Sequence, residues 1–184
     1  VGLDVGLHPA AVICQLSGRG LRVLEEVVPD DCGLEEFMDE YLLPVLTARY
    51  AGFKITGVMD PAGMGRSGLD KRTSLDVLHA RGIRAYPAST NSIAPRLEAV
   101  KFFLGRIDGL VIDASCQMLI DGMSGEYCFE IVHGVGSKYK ELPTKAHPVS
   151  DVCDALQYAA VFSRFGRDTS PQARRRAGNE PDKR

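Results

Sequence analysis

Hydrophobic residues alternate with polar or small residues over the first 28 positions, and two short turn-forming sequences interrupt the alternation. The segment VGLDVG passes through residues 7–9 into AAVICQL, and residues 17–20 then lead into LRVLEEVV. Period-two alternation with turns rich in glycine, proline and serine is typical of β-hairpins. Residues 1–28 therefore predict a three-stranded antiparallel meander.

The pattern changes to helical spacing over residues 33–49, where apolar residues recur every three or four positions. Pro44 lies inside this segment, and we expect it to kink or break the helix. Two short apolar runs, residues 54–60 and 83–86, then predict strands. Between them a helix over about 73–81 ends at Gly82. This β-α-β order predicts parallel strands joined by right-handed crossovers.

The rest of the chain continues the alternation of helices and strands. It predicts a helix over about 93–106, a strand at 110–113, a short helix in CQMLIDGM, a hairpin formed by EYCFEIVHGV and KYKEL, and a last helix over about 149–165. A meander followed by helices and parallel strands is the order of a ribonuclease H-like fold. We therefore predict an α/β fold with a mixed central sheet flanked by helices and an extra β-hairpin before the last helix.

Length and composition predict one domain and a polar tail. The 184 residues allow one domain with a real core, which we place at residues 1–166. Residues 167–184 are polar and contain three consecutive arginines, which predicts a disordered basic tail. No apolar run is long enough to span a bilayer, and five cysteines without a CxxC pair favour reduced thiols and an intracellular setting. Because a predicted strand begins at residue 1, we expect a partner domain upstream.

Four aspartates lie at the edges of predicted elements. Asp4 lies in the first strand, with glycines on both sides in the same row that would leave room for a cation and a phosphate. Asp60 ends a later strand. Asp151 and Asp154 are three residues apart, so they share one face of the last helix. An aspartate inside a strand is costly to bury without a partner, which favours a functional role for Asp4 over an edge-strand position facing water.

Each of the other acidic positions has a simpler structural interpretation that has to be weighed. Asp60 precedes a proline, where aspartate is common for turn formation alone. Capping explains Asp151 well but not Asp154, one turn further in, which makes Asp154 the stronger ligand candidate. Asp113 ranks lower, as an aspartate before a turn, and His147 is better explained as a cap or surface residue than as an acid or base.

Carboxylates gathered from two strands and a helix form a site for hard divalent cations, which take oxygen ligands. Two such cations roughly 4 Å apart clamp both the attacking and the leaving oxygen of a phosphodiester displacement. The residues thus predict a nuclease that uses two divalent cations, Mg²⁺ or Mn²⁺. The net charge of −2 argues against a nucleic-acid binder, but a carboxylate cluster lowers the net charge wherever it occurs. Candidate phosphate contacts are Arg66, Lys71, Arg72, Lys138, Lys140 and Lys145.

Taken together, these motifs make the chain similar to a known family over nearly its whole length, to about residue 166. It resembles the C-terminal nuclease domain of the large terminase subunit of tailed bacteriophages. The resemblance rests on VGLDVG, VMDPAG, PRLEAVKFFL with LVIDASCQMLIDGMSGEY, and HPVSDVCDALQYA. The last piece is the most specific, since an acidic helix start running into D-A-L-(R/Q)-Y resembles the third acidic motif of the family.

The resemblance implies a ribonuclease H-like fold and two-metal cleavage of double-stranded DNA with little sequence preference. In the family this activity cuts concatemeric DNA when packaging starts and when the head is full. By position, Asp4, Asp60 and Asp154 match the catalytic acids, with Asp4 bridging both ions, whereas relatives vary at the position of Asp151. The implied partners are an upstream ATPase domain, the portal and the small terminase subunit, in the cytoplasm of an infected bacterium. The chain itself has no GxxxxGK[ST] phosphate loop.

Three other functions remain open at this stage. A Holliday-junction resolvase of the same fold would prefer four-way junctions, and an actin-like ATPase or sugar kinase shares the D-x-G strand but needs further glycine-rich motifs. A non-catalytic module that docks on DNA or a portal would use its acidic residues structurally. For a nuclease we expect Asp154→Ala to abolish cleavage and to leave the fold intact or slightly more stable, because like charges are removed.

Overall fold

The computed structural model describes residues 1–18, 20–65, 72–132 and 138–166. The strands of these ranges are β1 Gly2–Asp4, β2 Ala10–Ser17, β3 Gly20–Val27, β4 Gly57–Met59, β5 Ala85–Pro87, β6 Leu110–Ile112, β7 Ile131–Val132 and β8 Lys138–Tyr139. The α-helices are α1 Leu34–Glu36, α2 Leu43–Tyr50, α3 Ser74–Ala80, α4 Ile93–Leu104, α5 Gln117–Asp121 and α6 Val149–Phe165.

Six strands form one mixed sheet in the order β5-β4-β1-β2-β3-β6. The first three strands are antiparallel neighbours, with Gly2 opposite Val12, which confirms the predicted meander. β4 lies parallel to β1 and β5 lies parallel to β4, as the β-α-β pattern predicts. β6 joins the far edge of the sheet, parallel to β3. Since β1, β4, β5 and β6 run in the same direction, their carboxyl ends lie along one edge of the sheet.

Both faces of the sheet are covered by helices. One core cluster contains Leu3 together with Phe37 and Leu78, from the helices between β3 and β5. The other contains Val12 together with Phe103 and apolar residues of α5 and α6. α6 is buried over most of its length, from Ser150 to Val161, because it lies against the middle strands of the sheet. Helix α6 is thus the element that fixes the position of its acidic residues relative to β1.

The helix does not break at Pro44, and a π-helical segment directly precedes the proline. α1, the π-helical residues Phe37–Leu42 and α2 follow one another without interruption. Leu43 N donates to Met38 O, five residues earlier, and Pro44 occupies the first turn of α2. Because Pro44 has no N–H to donate to the preceding turn, the helix changes to i→i−5 bonding just before it. A second π-helical segment, Gly122–Glu126, extends α5.

The parallel strands β4 and β5 are each shorter than the predicted strands. β4 ends at Met59 because Asp60 already begins a 3₁₀ helix, Pro61–Met64. β5 lies at the edge of the sheet, where its terminal Pro87 removes no ladder hydrogen bond needed by a further strand. The predicted hairpin is present as β7 and β8, with residues 133–137 outside the described ranges, as is the predicted tail 167–184.

The structure also describes the state of the cysteines and the length and polarity of the helices. All five cysteines are free thiols, as expected, and Cys14, Cys116 and Cys153 have pKa values raised chiefly by burial. Within the described ranges, no helix combines the length and the apolar character needed to cross a bilayer.

Candidate metal centre

The first turns of α6 lie beside the end of β1, and a glycine makes this approach possible. A Cβ atom placed on Gly2 would lie 2.0 Å from the Ala155 carbonyl oxygen and 2.9 Å from Ala159 Cβ. Asp4 follows on the same strand face, toward the amino-terminal turns of α6. From the sequence, the glycines beside Asp4 are expected to leave room for a cation and a phosphate. Gly2 instead provides the space for the backbone of α6.

Asp4 is the most perturbed carboxyl group among the described residues. It is half-buried, and its Oδ1 accepts a hydrogen bond from Gly6 N at 3.0 Å. Burial raises the pKa of Asp4 to about 6, even though the Gly6 amide opposes the rise. The negative charges of Asp154, Asp151 and Asp60 contribute to the same rise in the Asp4 pKa. The fold therefore brings the four aspartates close enough for their charges to interact.

Asp60 lies directly after β4 and caps the short helix that follows. Its Oδ1 accepts a hydrogen bond from Ala62 N at 2.7 Å. This is the turn-forming role that the sequence analysis gave as the alternative to metal binding. The two roles are compatible, because a carboxylate has a second oxygen and further lone pairs on the first.

Asp154 is buried and is surrounded by hydrogen-bond donors. Its Oδ1 accepts from the Tyr127 hydroxyl at 2.7 Å and from Gln157 Nε2 at 3.2 Å, and lies 2.5 Å from Arg96 Nη2. Its Oδ2 lies 2.5 Å from Lys145 Nζ. Removing Asp154 would leave the buried guanidinium of Arg96 without its carboxylate. The expectation that Asp154→Ala leaves the fold intact or more stable is therefore revised to a loss of stability.

Asp151 is also buried, but it has a different partner. Its Oδ2 lies 2.6 Å from His147 Nδ1, four residues earlier. The ring of His147 is half-exposed and lies 4.7 Å from that of His8, which follows β1. His147 therefore contacts an acidic residue of the cluster, a closer association than the cap or surface role favoured by the sequence analysis.

The donor chemistry of the cluster fits a hard divalent cation, but its geometry is not that of a finished coordination cage. The four aspartates supply the oxygen ligands that Mg²⁺ and Mn²⁺ prefer. Across residues 1–18, 20–65, 72–132 and 138–166, no three His, Cys, Asp or Glu side chains are gathered tightly enough to hold a metal ion. The three carboxylates around Asp4 instead contact groups of the protein: Asp60 contacts Ala62 N, Asp154 contacts Lys145, and Asp151 contacts His147. The excess negative charge around Asp4 is the feature that a cation would relieve.

The candidate phosphate-binding residues are placed in several different surroundings. Arg66 and Lys71 lie outside the described ranges. Arg72 forms an ion pair with Glu35 of α1, and Lys140 forms one with Glu130 across the β7–β8 hairpin. Lys138 is exposed on β8. Of the candidates whose positions are described, Lys145 contacts a site aspartate directly.

Asp113, the lower-ranked acidic candidate, follows β6 at the far edge of the sheet. β6 is three strands away from β1, a separation of about 14 Å. The Asp113 carboxylate accepts hydrogen bonds from Ser115 N and Oγ, which lower its pKa. Asp113 is therefore a turn-forming residue distant from the cluster, and it is well suited as a control.

Sequence reasoning missed the three residues that hold Asp154 in place: Arg96, Tyr127 and Gln157. Arg96 lies in α4, Tyr127 directly follows the second π-helical segment, Gly122–Glu126, and Gln157 lies in α6, so no local pattern joins them. One signal was present for Arg96, which lies in the same helical stripe as the buried Ala99, Val100 and Phe103. A charged residue in an apolar stripe indicates a buried partner.

Comparison with known proteins supports the fold. The chain is similar to the large terminase of a thermophilic bacteriophage, with a TM-score of 0.66 and 13% sequence identity. The match covers 89% of this chain and 39% of that chain, so this chain spans well under half of the phage protein. No family model matches the sequence, and no curated protein matches it. The predicted ribonuclease H-like fold, and the resemblance to a phage terminase at the level of fold, are confirmed.

Proposed function

We propose that this chain is a metal-dependent endonuclease that cuts double-stranded DNA with little sequence preference, as the cutting activity of a phage DNA-packaging terminase. The observation that carries the proposal is the position of Asp4 at the end of β1 with three aspartates close around it, where burial and these neighbouring charges raise its pKa to about 6. Such a group of acids at the carboxyl edge of a sheet favours cation binding, and strongly perturbed carboxyl groups are enriched at functional sites.

The roles of the residues follow from their positions. Asp4, at the end of the central strand β1, has the charges of all three other acids around it and is the best placed to share two cations. Asp60 and Asp154 approach from β4 and α6 and would each complete one side, with Asp151 beside Asp154. Bound cations would supply an acidified water and neutralise the charge on the leaving oxygen. Arg96, Tyr127 and Gln157 would orient Asp154 through their contacts with its Oδ1.

The similarity to the phage large terminase supports the biological context of the proposal. A protein of that kind would act on phage DNA in an infected bacterium, with an ATPase domain, a portal and a small terminase subunit as partners. The chain matches well under half of the phage protein. These partners and this location are therefore part of the proposal.

A plasmid assay tests the proposed activity. Supercoiled plasmid is incubated with the purified chain and Mg²⁺ or Mn²⁺, with EDTA as one control and Asp4→Asn as another. Asp113→Asn serves as the matched variant, since it removes the same charge from a turn outside the cluster. We expect nicking and linearisation by the unmodified chain and by Asp113→Asn, and intact plasmid in the two controls.

Other outcomes would point to the alternative functions. Cleavage that persists in Asp4→Asn would exclude the proposed site. Strong preference for a four-way junction over linear duplex would identify a resolvase of the same fold. Plasmid that stays supercoiled with both metals, combined with retention of the chain on DNA, would favour a docking module.

A further inference from the structure

The two carboxylate oxygens of Asp154 have partners of different kinds. Oδ1 contacts the Tyr127 hydroxyl, Gln157 Nε2 and Arg96 Nη2. Oδ2 contacts Lys145 Nζ at 2.5 Å. One oxygen is therefore held by three groups of the protein interior, and the other is neutralised by a single lysine.

The two cationic partners of Asp154 differ sharply in burial. The side chain of Arg96 is 6% exposed, whereas that of Lys145 is 55% exposed. Arg96 is also held by its position over the Tyr158 ring, with 4.4 Å from Cζ to the ring centroid, and by Asn91. More than half of the Lys145 side chain is in contact with water, so it is easily resolvated if it moves away from Asp154.

The backbone next to Lys145 is fixed, although its side chain is exposed. The neighbouring Thr144 donates from its N to Cys128 O at 2.8 Å and from its hydroxyl to Glu126 O at 2.8 Å. These bonds attach the segment before α6 to the end of the second π-helical segment, Gly122–Glu126, and to the residues just after it. Lys145 is thus held at the rim of the acidic cluster, with a long side chain free to change its rotamer.

An ammonium and a divalent cation cannot occupy the same side of one carboxylate oxygen, because their charges repel at contact distance. We propose that Lys145 is an exchangeable stand-in for a metal ion: it neutralises Asp154 Oδ2 in the metal-free protein and leaves when a divalent cation binds there. Lys145 has this role only if Asp154 is a cation ligand, as in the proposed function. Oδ1 then orients the carboxylate and Oδ2 is the ligand atom.

The released lysine has a second use at the same site. Swung away from Asp154, its ammonium remains at the rim of the cluster, where a DNA phosphate would approach the cations. Lysine binds phosphate as a mobile point charge. The same side chain therefore neutralises the metal-free site and contacts the substrate after metal binding.

Calorimetric titration of the full chain with Mn²⁺ in the absence of DNA tests this role. Lys145→Gln removes the stand-in, and we expect about fivefold tighter Mn²⁺ binding than in the unmodified chain, since the competing ammonium belongs to an exposed side chain and contacts one carboxylate oxygen. Lys101→Gln is the control, because it removes the same charge from an exposed pair on α4. Lys145→Arg keeps the charge and the fold, and its bidentate guanidinium should bind Asp154 more firmly and weaken Mn²⁺ binding. Melting curves give a second readout, with a larger Mn²⁺-induced rise in Tm for Lys145→Gln.

Equal or weaker Mn²⁺ binding by Lys145→Gln would overturn the stand-in role, as would the absence of Mn²⁺ binding by both proteins. The plasmid assay separates this result from the proposed function. Cleavage that depends on Asp4 with unchanged Mn²⁺ affinity in Lys145→Gln would retain the nuclease and reject the stand-in. Tighter Mn²⁺ binding by Lys145→Gln without cleavage of any DNA would support the stand-in role and reject the nuclease.

Discussion

Gly2 and Ala155 meet so closely that a Cβ atom on Gly2 would lie 2.0 Å from the Ala155 carbonyl oxygen. Atoms that are not bonded cannot approach to that distance, so any side chain at residue 2 would force α6 away from β1. The same contact sets the separation of the acidic residues, because Asp4 is two residues further along the strand and Asp154 directly precedes Ala155. The packing of a glycine thus determines the geometry of the cluster.

Gly2→Ala should therefore destabilise the chain by about 3 kcal/mol or more, since the added methyl group meets backbone that cannot rotate aside. Urea unfolding followed by circular dichroism measures the change. Gly33→Ala is the control, because nothing lies within 4 Å of a Cβ placed there and its φ of −79° suits any residue. A similar stability for the two variants would show that α6 does not pack on β1 as described.

Asp4→Asn should make the metal-free protein more stable at neutral pH. The carboxyl has a folded-state pKa of about 6 and an unfolded value of about 3.8, so the folded chain holds its proton more tightly. The stability of the unmodified chain then decreases as the pH rises from about 4 through 6. Asparagine keeps the acceptor for Gly6 N and removes the charge, which should gain about 1–2 kcal/mol at pH 7.5.

The pH dependence gives this prediction its control. In EDTA, the stability difference between Asp4→Asn and the unmodified chain should shrink steadily from pH 7.5 to pH 4.5, where Asp4 is protonated in the folded state. Chemical unfolding at several pH values measures it. A difference that is constant with pH, or a destabilised Asp4→Asn, would mean that a cationic group neutralises the Asp4 carboxylate in the folded chain and offsets the repulsion from the three aspartates.

Arg96 and Asp154 should behave as one energetic unit. Both side chains are almost fully buried. Arg96→Met leaves Asp154 with the exposed Lys145 as its cationic partner, and Asp154→Asn leaves the buried Arg96 without a carboxylate, so each should cost about 3 kcal/mol. The double variant should cost about 2 kcal/mol less than the sum, because neither charge remains unpaired. A double-mutant cycle in urea measures this coupling.

The exposed pair Glu98 and Lys101, on the same helix as Arg96, calibrates the cycle. Its partners lie 3.2 Å apart and are more than half exposed, so their coupling should be below about 0.5 kcal/mol. Equal coupling in the two pairs would show that the contact between Arg96 and Asp154 is not buried in solution.

Much of the fold could be predicted because local patterns determine it. Alternation with turns predicted the meander, and helical spacing predicted α6 at its observed bounds, Val149–Phe165. The sequence could not show that β6 pairs with β3, because strand order depends on long-range contacts. It also could not show the first π-helical segment, Phe37–Leu42, in which the chain adapts locally to Pro44.

The candidate site likewise contains residues that local sequence patterns predict and residues that depend on long-range contacts. Asp4 and Asp60 were found because an acidic residue within or directly after a strand is conspicuous in a sequence. Arg96 and Tyr127 contact Asp154 from 58 and 27 residues away, and no spacing rule connects such positions. The contact of Lys145 with Asp154 likewise depends on how the segment before α6 is attached through Thr144.

Asp60 has a structural role and a proposed catalytic one, and two substitutions separate them. Serine caps a helix almost as well as aspartate, so Asp60→Ser should keep the bond from Ala62 N and change stability by less than about 0.5 kcal/mol. Asp60→Ala loses the cap and should cost about 1 kcal/mol. Both lack the carboxylate, so both should fail to cleave plasmid at any Mg²⁺ concentration that supports the unmodified chain.

Thermal melts and the plasmid assay on the same preparations give the answer. Loss of cleavage in Asp60→Ser at unchanged Tm would assign the carboxylate to cation binding, because the fold and the cap are retained. Full cleavage by Asp60→Ser, with weaker cleavage only in the less stable Asp60→Ala, would make Asp60 a cap alone. The cations would then be held by Asp4 and the two aspartates of α6, since Asp60 would be removed from the proposed site.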